Sequence, residues 1–163
     1  MKKFIIEIKW ALIFVAMMLL WMLLERLFGL HDRYIEYHPL VTNFVAIPAI
    51  LIYVLALLDK RHNYYHGQMS YLQGFVSGVI ITVIVTILSP LTQIITSLII
   101  TPDYFRNVIE YTISTGAMSR VEAEEYFTLN NYLVQTILFT PAMGIFTSSI
   151  VAIFTRRTNA DGL

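Results

Sequence analysis

An all-α polytopic membrane fold is predicted: a bundle of four transmembrane helices, with a short helical hairpin outside the bilayer between helices three and four. Three observations predict it. The 163 residues are 57% hydrophobic and only 13% charged, against about 45–50% and about 25% in an ordinary soluble domain. A soluble domain of ~150 residues buries only about 70% of the surface of its unfolded chain, so water cannot accommodate this excess of apolar side chains. Four separate apolar runs each approach or exceed the ~20 residues that cross a hydrocarbon core. Lysine and arginine collect at alternate ends of those runs.

The first run spans residues 10–30. It follows a basic start, Met1-Lys2-Lys3, but leads into Glu25-Arg26-Leu27-Phe28 and not into a small-residue cleavage site, so it reads as a retained anchor. The second run, 40–58, is closed by Asp59-Lys60-Arg61-His62, which opens a cytoplasmic loop over 59–73. The third, 74–100, contains no charge; at about 40 Å long it needs tilt or protrusion. The fourth, 132–154, stops at Arg156-Arg157. Lys2, Lys3, Lys9, Lys60, Arg61, Arg156 and Arg157 share one side, which the excess of positive charge marks as cytoplasmic, with both termini there. Glu7 and Lys9 sit at that boundary as snorkelling side chains.

The outer loop, 101–131, carries helix signals of its own. Asp103 stands where it would cap a helix whose apolar residues Phe105, Val108, Ile109 and Ile113 recur at helical spacing, and Gly116 ends it. Ser119 and Glu122 form a capping box for a second short helix. The chain therefore reads as one membrane domain over 1–163.

Within the spans, small and polar residues line up at intervals of three or four. Span three carries Gly78, Thr82, Thr86, Ser89, Gln93 and Thr96; span four carries Thr136, Thr140, Gly144, Thr147, Val151 and Thr155; span two more weakly carries Thr42, Ala46, Ala49, Tyr53 and Ala56. Such stripes are packing seams in the first instance. Gly74 and Gly78 form a GxxxG that serves either packing within the chain or a dimer face. Pro48, Pro90 and Pro141 fall at a similar depth, about 12–15 Å from the outer ends of their spans. Each removes a backbone hydrogen bond, and Asn43, Ser89, Thr92, Gln93, Gln135 and Thr140 share the same outer half, with Glu25 approaching from span one. The expectation is a kinked, polar ligand pocket that opens outward, set against the reading in which the prolines only bend their helices. Glu25 itself is either an intramembrane ionisable group, which is functional by default, or a headgroup-level charge.

Chemistry beyond this is sparse. There is no cysteine, which removes disulfides and thiolate metal sites. His62 and His66 are spaced for one helix face but lack a third ligand, so no metal site is expected, and no cofactor is implied. No catalytic residues are recognisable: the chain has no serine, histidine and acid set, no phosphate-binding glycine loop and no HExxH. A net charge of zero and the absence of a basic run set nucleic acid aside as a partner.

With those residues in view, the chain resembles a bacterial family of four-span membrane proteins, domain of unknown function number 4199, found mainly in Bacteroidetes. The resemblance rests on KFIIEIKWALIF, IPAILIYVLALLDKR, QGFVSG, SPLTQ at 89–93, PDYFRNVIEY, EAEEYF and SIVAIFT, and covers almost the whole chain. It implies a Gram-negative inner-membrane location, a periplasmic outer loop, and no established activity or cofactor. The functional expectation is a non-enzymatic membrane protein that binds membrane lipid, or a partner membrane protein or second copy, through its outer half and periplasmic hairpin. The alternatives are a small transporter or lipid-translocation subunit working around the proline level, and an intramembrane enzyme using Glu25.

Overall fold

The computed structural model describes residues 4–158. Lys2 and Lys3, which contribute to the charge asymmetry, and residues 159–163 of the polar tail lie outside the described residues. Four helices are long and apolar enough to cross a membrane: α1 (Ile5–Leu27), α2 (Ile35–Asn63), α3 (Tyr71–Ile100) and, after two short helices, α6 (Leu129–Thr155). The short ones are α4 (Tyr104–Ser114) and α5 (Arg120–Tyr126). Among the described residues there is no β-strand, and the chain is a multi-pass membrane protein whose outward faces carry exposed Leu20, Ile47, Ile87, Leu138 and Phe146.

Each long helix extends beyond its apolar run because the polar residues at its ends are partnered. Helix α1 begins well before Trp10, and Glu7 does not snorkel: it is 1% exposed, held by Lys60 Nζ at 2.8 Å and by the Ser77 hydroxyl, which donates at 2.8 Å. Helix α2 continues past Leu58 through five polar residues, Asp59 to Asn63. Asp59 accepts from Lys9, from Trp10 Nε1 (2.7 Å) and from Asn63 (2.6 Å). Lys60 pairs with Glu7, and Arg61 donates to the Thr155 carbonyl (2.9 Å). Helix α3 starts at Tyr71 through a capping box, with Ser70 Oγ accepting from the Gln73 amide and the Gln73 side chain accepting from that of Ser70. Met69 and Arg157 exchange two backbone hydrogen bonds of 2.8 Å, which clips the α2–α3 loop to the end of α6.

In the loop between α3 and α6, the Ser119–Glu122 box caps α5, and Gly116 ends α4 at φ +71°, with the Ala117 amide returning to the Thr112 carbonyl. Asp103 stands at the head of α4 but makes no capping bond; its carboxylate pairs instead with exposed Arg106 at 2.9 Å. The end of the bundle bearing α4 and α5 is the loop end, and the opposite one is the terminal end.

The most extensively packed helix pair is α3 with α6. Gly78 packs against Ser148 and Gly144 against Thr82; a Cβ added at either glycine would stand on those side chains. Gly74 packs against Met69 and Ala152. The GxxxG is therefore buried inside the chain and does not present a dimer face. Hydroxyls along the seam turn back to their own helices, Thr82 to the Gly78 carbonyl (2.9 Å) and Ser148 to that of Gly144 (2.6 Å), so close approach costs no unsatisfied donor. Around the seam lies the packed core, in which Ala11, Tyr53, Ala56, Leu57, Ile81 and Val151 are buried.

Two outcomes follow from this packing. Gly78→Ala should lower stability by about 1–3 kcal/mol, the usual cost of overpacking, and Ser148→Gly should restore most of it, read from unfolding midpoints in detergent. Lys60→Met should cost about 3–5 kcal/mol by leaving Glu7 buried and unpaired, whereas Glu7→Gln with Lys60→Met should be markedly less damaging.

Candidate functional site

Beyond the Thr82–Gly144 crossing, the four spans enclose a cavity of about 700 Å³. Its deep wall is Phe14, Tyr53, Val85 and Val151, with the Phe14 and Tyr53 rings edge to face at 5.8 Å. The Tyr53 hydroxyl is satisfied by Thr82 Oγ1 at 2.8 Å, which joins this wall to the helix seam. Its rim, at the loop end, is His31, His38, Thr101, Tyr104 and Tyr132. Along α3 the lining runs from Val85 to Ser97, about 18 Å at 1.5 Å per residue, so the space is long and follows the helix axes. Met18 and Met22 of α1, Ala46 and Ile50 of α2, and Phe139 and Met143 of α6 make its flanks apolar.

Six of the residues that the sequence singles out for a pocket line this cavity: Asn43, Ser89, Thr92, Gln93, Gln135 and Thr140. Several of their polar groups are already engaged. Asn43 donates to the Pro39 carbonyl (2.6 Å), Gln93 donates to Ser97 Oγ (2.9 Å), and Thr92 donates to the Leu88 carbonyl (3.1 Å). Pro48, Pro90 and Pro141 are not among the lining residues. Pro90 and Pro141 lie inside α3 and α6, and the Ser89 hydroxyl donates to the Thr86 carbonyl that Pro90 leaves without its amide partner. Pro48 is the third residue of the α-helical part of α2, after a 3₁₀ turn at Thr42–Val45, where its missing N–H belongs to the first-turn donors that have no helical partner.

Glu25 lies behind the rim at 2% exposure. One carboxylate oxygen, Oε1, accepts from Trp21 Nε1 at 2.6 Å. The other, Oε2, is 3.1 Å from His31 Nε2 and 3.4 Å from His38 Nε2. Arg26 turns away and donates to the carbonyls of Ile99 and Ile100 at the end of α3. The histidines reach Glu25 because the chain reverses after α1: Gly29 adopts φ +76°, and the amides of Leu30 and Tyr34 return to Glu25 and Gly29 at 2.9 Å. A side chain at Gly29 would be strained by that φ and would meet Arg33 and Asp32. Tyr104 of α4 covers both imidazoles, with ring centroids at 5.4 Å from His31 and 5.2 Å from His38. Its hydroxyl lies 3.4 Å from that of Tyr132 and 3.5 Å from His38 Nδ1. Asn107 Nδ2 donates to the His31 carbonyl at 2.9 Å, so α4 holds the turn down.

Among the described residues, Glu25, His31 and His38 bring three potential ligand atoms within 4.8 Å of one another. His62 and His66 are not part of such a group: His62 lies in the last turn of α2, while His66 stands in the following loop at φ +54°. Burial, with the Tyr132 hydroxyl beside it, pushes the Tyr104 phenol above its ordinary value of 10.0.

The family model described as "Protein of unknown function (DUF4199)" matches residues 9–157. No curated protein and no solved structure matches the chain.

A phenol whose folded pKa is raised favours folding in its neutral form. Its contribution is complete below about pH 10 and is lost as pH rises beyond the unfolded value. Alkaline melts in detergent should therefore show a loss of stability above pH 10 that is smaller in Tyr104→Phe than in the wild-type chain.

Proposed function

The chain belongs to this family of proteins of unknown function, and from its cavity we propose that it is a non-enzymatic membrane protein that binds one amphipathic lipid molecule inside the bilayer. The observation that carries the reading is the combination of size, shape and polarity. A space of about 700 Å³ lies within the ~300–1,000 Å³ of small-molecule sites. Its apolar flanks and deep aromatic wall suit a hydrocarbon chain, while the histidine and tyrosine rim suits a polar head. The charge asymmetry and the family resemblance support an orientation in which the rim and α4–α5 face the periplasm of a Gram-negative inner membrane, with both termini cytoplasmic.

A transport reading draws less support, because the terminal end is occupied by the packed core and by the Glu7–Lys60–Ser77 contact. An intramembrane enzyme using Glu25 has the least, since that carboxylate lies buried behind the rim with one oxygen bonded by Trp21 and the other by His31.

Native mass spectrometry of the full chain released from mild detergent tests the reading. One lipid-sized adduct per chain is expected, and Ala49→Trp with Thr140→Trp, which fills the cavity from two walls, should reduce its occupancy at least tenfold while leaving helicity unchanged. An adduct that is absent from the wild type, or undiminished in the filled variant, overturns it.

A further inference from the structure

We propose that Glu25, His31 and His38 form a binding site for a divalent transition-metal cation of the Zn²⁺ class at the rim of the cavity. The site is composed of two imidazoles and one carboxylate, a three-ligand set that zinc accepts while keeping a further position open. No thiolate is present anywhere in the chain, which disfavours Cu⁺, and imidazole donors disfavour Mg²⁺ and Ca²⁺.

The three potential ligand atoms stand close enough to share a cation, all within 4.8 Å of one another, although the His31 contact is also of hydrogen-bond length. Metal–ligand bonds of 2.0–2.2 Å in a tetrahedron put donor atoms ~3.3–3.6 Å apart; Glu25 Oε2 stands 3.1 Å from His31 Nε2 and 3.4 Å from His38 Nε2. As a hydrogen-bond network the cluster is incomplete. Both imidazoles converge on one oxygen, yet His38 Nε2 makes no aligned hydrogen bond there, and His31 Nδ1 has no partner although His31 is 5% exposed. Buried polar atoms are rarely left so, and a cation among the three donors gives His38 Nε2 a partner that Glu25 alone does not. The outer partners are those of a metal site. Trp21 holds Glu25 Oε1 and so leaves Oε2 to the cation, the Tyr104 hydroxyl stands near His38 Nδ1, and Asn107 anchors the His31 backbone. Both histidines line the cavity, so the open position lies where water can reach it. The inference does not depend on the lipid: it stands on these three residues alone.

Cobalt is the probe. The full chain in detergent, stripped with a chelator and titrated with Co²⁺, should bind one equivalent, with the intense visible ligand-field bands of a four- or five-coordinate ion that Zn²⁺ then displaces. The proton spectrum of the Co²⁺ form should show two exchangeable, paramagnetically shifted imidazole N–H signals, a readout that needs no substitution. His38→Ala and Glu25→Gln should each weaken Co²⁺ binding at least tenfold, and His62→Ala should leave it unchanged. A folded wild-type chain that takes up no stoichiometric Co²⁺ or Zn²⁺ overturns the proposal. So does a Co²⁺ form without shifted imidazole signals, or binding that persists undiminished in folded His38→Ala.

Discussion

The close approach of α3 and α6 at Gly74, Gly78 and Gly144 is the constraint on which the rest of this molecule depends. In lipid no hydrophobic force draws helices together, so contact has to come from surfaces that fit, and small residues let backbones meet. Gly78 accommodates Ser148, and Gly144 accommodates Thr82. The hydroxyls that occupy these notches bond to carbonyls of their own helices, which keeps the seam dry and polar-satisfied at once. Once that pair is locked on the terminal side, Tyr53 and Phe14 fill the space in front of it. Toward the loop end the seam has no further glycine, and the opening between four helices is the geometrical result.

Two buried carboxylates mark the two ends, and their surroundings differ in kind. Glu7 has a full cation at 2.8 Å, a hydroxyl donor, and the Lys60 ammonium additionally lying over the Tyr64 ring at 3.8 Å. Charge and hydrogen-bonding capacity are matched there, which is what a buried ion pair needs to be retained. Glu25 has a neutral indole donor and two imidazoles, and no full cation, beside an open cavity. The first carboxylate holds three helices together; the second leaves donor capacity unused.

The spans, the Ser119–Glu122 cap and the stripe that lines the cavity were legible in the sequence because each is a local pattern: an uninterrupted apolar run, a three-residue spacing, a three-or-four-residue repeat. Asn43, Ser89, Gln93, Gln135 and Thr140 all belong to the outer half that helical depth alone assigns. What stayed hidden depends on chain reversal or on pairing across long separations. His31 and His38 reach Glu25 only because Gly29 turns the chain at positive φ, and no helical spacing relates the three positions. The lone signal was two histidines flanking the start of span two, close after a carboxylate. Glu7 and Lys60 looked like interface charges because each, read alone, lies at the edge of an apolar run. The prolines themselves do not line the cavity: Pro48 falls in the first turn of the α-helical part of α2, and the Ser89 hydroxyl bonds the Thr86 carbonyl that Pro90 leaves without its amide.

The Glu7–Lys60 pair also sets a timetable for assembly. The two residues are separated by 53 positions, and at a synthesis rate of ~5–20 residues per second the carboxylate waits about 3–10 s for its ammonium. During that interval the α1 carboxylate lacks the cation that compensates its burial, and burying it alone is costly. Ser77, the remaining partner of Glu7, belongs to α3 and is made later still. The surroundings of Glu7 are therefore complete only when three of the four spans are present.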